Sequence, residues 1–520
     1  MSEIVVGVGA LQPDDVVAVA RRNARIVLAP AAEAEIGRSR EVIEALAADA
    51  EPHYGVSTGF GALATRHIPV ARRAQLQRGL IRSHAAGSGA EVEREVVRAL
   101  MLLRLSTLAT GRTGVRLETA RAYAGLLNAG ITPVVREYGS LGCSGDLAPL
   151  SHCALTLMGE GLAYGSDGEV RPAGELLTEA GITPVELAEK EGLALINGTD
   201  GMLGMLVMAI ADLARLFTTA DITAAMSLEA LLGTEKVLQP ELHAIRPHPG
   251  QAASAANMFK VLEGSGLTGH HQDDAPRVQD AYSIRCAPQV AGAGRDTLSH
   301  AMLVADRELA SAVDNPVVLP DGRVESNGNF HGAPVAYVLD FLAIAAADLG
   351  SIAERRTDRL LDKSRSHGLP AFLADDPGLD SGLMIAQYTQ AALVSENKRL
   401  AVPASVDSIP SSAMQEDHVS MGWSAARKLR QAVDNLARIL AVELTASARA
   451  LEIRCIELGV STDSGPLAPA TAAALAGARA AGVVGPGTDR FLAPDLEAAE
   501  TFVAGGGLVA AVESVTGTLA

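Results

Sequence analysis

The chain has 520 residues, 48% hydrophobic but only 3% aromatic, with 51 glycines and a formal net charge of −18. That length suffices for a large core or several subdomains, and the shortage of aromatics predicts close-packed helices resting on Ala, Leu and Val. The acidic balance argues against nucleic-acid binding, which needs a basic patch; four cysteines without a C-x-x-C pair argue against a disulfide framework and for a reducing compartment.

The N-terminal residues MSEIVVGVG carry no basic stretch ahead of an apolar one, so no signal peptide is expected and the cytoplasm is the expected location. Up to about residue 200 the pattern mixes short helices with Gly-rich loops at 54–61 and 139–146. Val92, Val96, Leu100 and Leu103 form one helical stripe within 91–110. The Gly/Pro-containing stretch 163–184 reads as a surface excursion.

Long helices are predicted over 201–232, 332–361, 380–399 and 421–455. The run 201–220 is apolar enough to suggest a membrane span, but Asp212 and Arg215 interrupt it, so a buried bundle helix is the better reading. The tail shows loops at 457–467 and 482–495 and a Gly-rich end. No long alternating strand pattern and no repeat is visible. The expected class is mainly α, with a loop-rich N-terminal region (1–200), a long central helical bundle (201–455) and a helical tail (456–520).

Several polar clusters sit between the helices. Tyr54, in YGVSTGFG, can offer a phenol to a substrate as a base, or simply pack with its hydroxyl satisfied. His84, in RSH, can hydrogen-bond a polar ring, or end a helix. Gln279, Tyr282 and Arg285 recur every three residues, which places them on one helical face. Arg285 can then grip a carboxylate, although a solvated face has the same spacing. Gln415-Glu416-Asp417-His418 invites a metal reading, but no second His follows at i+4, and no metal is expected. Asn197 in INGT and Phe330 in NGNFHG are further polar-loop positions.

The most informative stretch is GSLGCSGD, residues 139–146. It reads as a turn into a helix, with Ser144 or Asp146 as N-cap. It can also cyclise. The Gly145 amide nitrogen can attack the Cys143 carbonyl carbon, because glycine has no Cβ to obstruct close approach. Loss of one water closes a five-membered ring, and loss of a second, from Ser144, leaves an exocyclic methylene. The product, 4-methylidene-imidazol-5-one, is an electrophile that no natural side chain matches.

These segments together resemble the aromatic amino-acid ammonia-lyases, through GSLGCSGDLAPLSH, EGLALINGT, QDAYSIRCAPQV, NGNFHG, ENKRLAVPASVDSIPSS and QEDHVSM, in the family's order. The resemblance covers nearly the whole chain. It implies a fumarase/aspartase-like helical architecture, a homotetramer whose active sites draw on several subunits, and the imidazolone formed from Cys143, Ser144 and Gly145. It implies Tyr54 as base at the substrate β-carbon and Arg285 as carboxylate anchor. Asn197, Gln279, Tyr282 and Phe330 would line the substrate and prosthetic group. Glu416 would be an acid near the ring and amino group. Ser83-His84 and Gln-Glu-Asp match the members that act on histidine, so the implied reaction is L-histidine to trans-urocanate and ammonia. An aminomutase, a tyrosine-acting lyase and a non-catalytic helical scaffold are the alternatives. The chain departs from the usual pattern at Cys143 (commonly Ala), Asp200 (Gln), Ala287 (Gln) and Met414 (Asn).

Overall fold

The computed structural model describes residues 3–49, 51–269, 279–462 and 465–520. It is about 60% helical, and no strand among the described residues exceeds four residues. The mainly α class expected from the apolar periodicity is therefore observed. The chain divides into two compact units, one of Met1–Met208, Ala301–Asp340 and Pro403–Arg427, the other of Ala209–His300, Phe341–Val402 and Lys428–Ala520.

In the first unit, the helix Arg94–Ala109 is buried without a break from Val96 to Ala109. A helix buried on every side is a core helix. It carries two arginines inward all the same. Arg98 gives hydrogen bonds to the carbonyls of Val19 and Leu127. Arg104 gives them to those of Asn197 (2.9 Å) and Val313 (2.8 Å). Such buried guanidinium groups are tolerable because carbonyls accept from them and, for Arg104, because the buried Asp200 carboxylate lies 3.5 Å from its Nε. Short strands complete the unit. Glu3–Val6 pairs in parallel with Arg25–Leu28 across an intervening helix; its alternating burial is too brief to stand out in the sequence. The 163–184 excursion holds a β-hairpin, Leu162–Tyr164 with Val170–Pro172, followed by the helix Ala173–Glu179.

The four long helices appear as Asp200–Ala230, Ala333–Leu361, Met384–Leu400 and Gly422–Leu458. A fifth, Ala287–Leu309, escapes the sequence reading because Gly and charged residues interrupt its stripe. The membrane-like window of Glu191–Ala230 lies wholly inside the fold, as the buried-helix reading requires.

The second unit is organised around Glu443, fully buried. Its carboxylate accepts from Thr223 Oγ1 (2.8 Å), Ser227 Oγ (2.9 Å) and both Nε and Nη2 of Arg356. A buried ion pair is stable when every lone pair is used in this way. The Gly-rich end is helical too: Ala493–Ala504 and Gly507–Thr516 meet at a 59° bend at Gly505-Gly506.

Candidate active site

Residues 139–146 form a loop held at both ends. The Gly142 carbonyl accepts from Ser420 Oγ (2.7 Å) and Gly332 N (3.0 Å), and the Asp146 amide donates to the Gly198 carbonyl (2.7 Å). Gly145 stands at φ +81°, and a Cβ there would lie 2.2 Å from the Gly198 carbonyl oxygen and 2.4 Å from its nitrogen. Only glycine fits, so the position expected to close a ring is also the one packed backbone-to-backbone against INGT.

Asp146 occupies the N-cap position of the helix Leu147–Leu157 but makes no capping bond there. Its carboxylate instead accepts from Gly201 N (2.8 Å) and Met202 N (2.9 Å), in the first turn of Asp200–Ala230, and from Ser140 Oγ (2.8 Å). Asp146 thus caps a different helix from the one it precedes, tying the two loops together. Burial pushes its carboxyl up to about 7, against the pull of these donors.

A cavity of about 540 Å³ within the first unit is lined by Tyr54, His84, Ser144, Asn197 and Glu416. Five residues from five separate segments, each singled out above, meet there. Ser144 Oγ donates to Glu416 Oε1 (2.8 Å) and Cys143 Sγ to Glu416 Oε2 (3.1 Å), where Ser411 Oγ also donates (3.0 Å). Burial first, then the neighbouring Glu416 carboxylate, pushes the Cys143 thiol up to about 12. It therefore stays protonated, as a donor must.

Tyr54 Oη accepts from Gly61 N (3.2 Å). Asn197 is 5% exposed, and its Oδ1 is buried without a hydrogen-bond partner; such an acceptor beside a cavity is suited to a ligand donor. His84 closes the helix Val70–His84, its Nδ1 2.9 Å from the Leu80 carbonyl. Donation from Nδ1 leaves Nε2 as an acceptor. Burial lowers the His84 pKa, while Glu416 raises it.

The other predicted residues lie elsewhere. Gln279, Tyr282 and Arg285 line a separate cavity of about 440 Å³ within the second unit. They do not share one helical face: Tyr282–Arg285 is a single turn and Gln279 precedes it. The i,i+3 spacing nonetheless brings the Arg285 guanidinium over the Tyr282 ring, 4.6 Å from its centre. Phe330 is half-buried and does not line the 540 Å³ cavity. The adjacent His331 stacks on His418, ring centres 5.7 Å apart.

Sequence reasoning missed Arg66, Arg72 and Gln75 on the cavity wall, Ser411 behind Glu416, and Gly198. The i,i+3 pair Arg72 and Gln75 carried a weak helical signal, Gly198 and Ser411 lay within the quoted motifs EGLALINGT and ENKRLAVPASVDSIPSS without being singled out, and Arg66 had no signal.

The sequence model of the aromatic amino acid lyases matches residues 11–480. The chain belongs to the aromatic amino acid lyase family. Members of this family use 4-methylidene-imidazol-5-one. The enzyme is 76% identical over 520 residues, all of both chains, to a histidine ammonia-lyase of Streptomyces griseus. It is 50% identical to one of Symbiobacterium thermophilum over 97% of each chain. Among solved structures it resembles a tyrosine aminomutase of Streptomyces globisporus (TM-score 0.92, 39% identity, all of both chains). It also resembles a histidine ammonia-lyase of Trypanosoma cruzi (TM-score 0.89, 38% identity, 99% of this chain and 95% of that one).

Proposed function

We propose that this lyase eliminates ammonia from L-histidine to give trans-urocanate, and that it works as a cytoplasmic homotetramer with shared active sites. One observation carries the reading: Ser144 is hydrogen-bonded to Glu416 in a cavity that Tyr54, His84 and Asn197 also line. The tripeptide Cys143-Ser144-Gly145 suits the family's prosthetic group. Gly145 has no room for a side chain, Ser144 reaches the cavity, and the Cys143 side chain lies outside the ring-forming atoms. Cys143, Ser144 and Gly145 would supply that group, which would offer an electrophilic carbon for activating the substrate's amine as a leaving group.

The remaining roles fall to side chains. Tyr54, as its phenolate, takes a proton from the substrate β-carbon and becomes the phenol. His84, with Nε2 as acceptor, and Glu416 hydrogen-bond the imidazole. A site built to do so rejects phenylalanine, because its buried polar groups would be left unpaired. The Asn197 Oδ1 accepts from the substrate amine. Gln279, Tyr282, Arg285 and Phe330 complete the site from neighbouring subunits, Arg285 taking the carboxylate as a bidentate pair.

The test is incubation with L-histidine, following urocanate in the near ultraviolet, with Ser144→Ala as control. Product from the wild type alone, together with an intact mass short of two waters, is the expected result. Wild-type protein without product on histidine would overturn the reading. The aminomutase likeness at TM-score 0.92 favours a second reading, for which β-amino acid without free ammonia would be the signature.

A further inference from the structure

The second-unit cavity that holds Arg285 contains another arginine, Arg359, on the last turn of Ala333–Leu361. Its neighbours are all spoken for. Arg355 pairs with Glu354 and Asp358, Arg356 with Glu443, and Arg365 with Asp358 and Asp362. Arg359, half-buried, has no ion pair or side-chain hydrogen bond among the described residues. Among the described residues Arg285 engages the Tyr282 ring, and its Nε is buried without a hydrogen-bond partner there. Among the described residues Asp280 is the one carboxylate lining this cavity, and it accepts from the Thr234 amide. Two guanidinium groups without an ion pair among the described residues, facing one cavity with a single carboxylate, leave an excess of positive charge that favours a bound anion.

We infer that Arg359 is a second carboxylate-binding residue, which grips the amino-acid substrate's carboxylate together with Arg285. The inference rests on the proposed reaction and adds to it a residue outside the motifs that carry the family resemblance. Two guanidinium groups fix the carboxylate more tightly than one and raise the selectivity for an α-amino acid over its uncharged analogues.

The test compares wild type, Arg359→Gln and Arg359→Lys. KM for L-histidine and the inhibition constant of imidazolepropionate, which keeps the carboxylate, are set against that of imidazole, which lacks it. Losing a charge-assisted hydrogen bond should raise the first two by roughly 10- to 100-fold in Arg359→Gln, with imidazole inhibition and kcat within about threefold. Arg359→Lys should recover part of the loss, since the charge remains without the fork.

Carboxylate-dependent constants that stay at wild-type values would overturn the inference. So would a variant that falls apart in light scattering while its remaining assembled fraction binds imidazolepropionate normally, since Arg359 would then be pairing with a carboxylate of another copy. If the wild type makes no urocanate, the proposed reaction fails instead. Calorimetry with imidazolepropionate against imidazole then decides the arginine site by itself: weaker binding of the acid alone in Arg359→Gln supports it, and equal binding refutes it.

Discussion

Gly145→Ala should cost far more than its backbone angle alone explains. At φ +81° an alanine carries the left-handed penalty, about 1–2 kcal/mol. Its Cβ would also sit 2.2 to 2.5 Å from three backbone atoms of Gly198. Gly198 has nowhere to retreat: a Cβ built on it would meet Asp200 Oδ2 at 2.3 Å and Arg104 Nη1 at 2.8 Å, and Asp146 N holds its carbonyl at 2.7 Å. Overpacking of this kind adds about 1–3 kcal/mol, for a total of roughly 2–5 kcal/mol against a typical stability of about 5–15.

Gly168 provides the control. It has φ +84° and nothing within 4 Å of its would-be Cβ, so Gly168→Ala meets the backbone penalty alone. Trp423, the single tryptophan, is 2% exposed with Nε1 bonded to the Glu137 carbonyl, and reports unfolding by fluorescence. Denaturant titration of both variants should place Gly145→Ala at least about 1 kcal/mol below Gly168→Ala. Equal losses would refute the interlocking of the two loops.

Ser412, Ala413 and Met414 all have left-handed φ, at 52°, 53° and 68°. Met414 is 66% exposed, so Met414→Asn loses little packing and gains a residue that tolerates this region. It should stabilise the loop by about 0.5–1 kcal/mol, seen as slower proteolysis within 411–417; unchanged cleavage would contradict this. Asp146 titrates in the folded protein at about 7, raised from 3.8 chiefly by burial. Between these values the folded state keeps a proton that the unfolded chain releases, so stability falls as pH rises through the window. Asp146→Asn should flatten that slope, and denaturation midpoints at about pH 5 and about pH 8 with an unchanged difference would refute it.

The residues that meet in the first cavity were legible because each sits in a short motif of unusual composition, in a loop or, for His84, at the end of a helix. Tyr54, His84, Ser144, Asn197 and Glu416 could be picked out one by one, and the order of their motifs pointed to the family. What was less legible is instructive. Gln279, Tyr282 and Arg285 suggested a continuous helical face; the structure has one turn, because a spacing of three does not say how far a helix extends. Asp146 read as the cap of the helix it precedes, yet its carboxylate turns to the amides of Gly201 and Met202. Arg66 and Arg359 carried no local pattern at all.

Periodicity and composition by themselves determined the helical class, four long helices to within a few residues, and the tripeptide able to cyclise. Those features are local: a helix stripe repeats within the chain, and ring closure needs only three adjacent residues. Tertiary structure decided which glycine is irreplaceable, which helix Asp146 caps, and that Cys143 and Ser144 share the Glu416 carboxylate across more than 270 positions of sequence. Contacts between residues so far apart depend on where packed helices hold their connecting loops, and no spacing rule in one dimension encodes that.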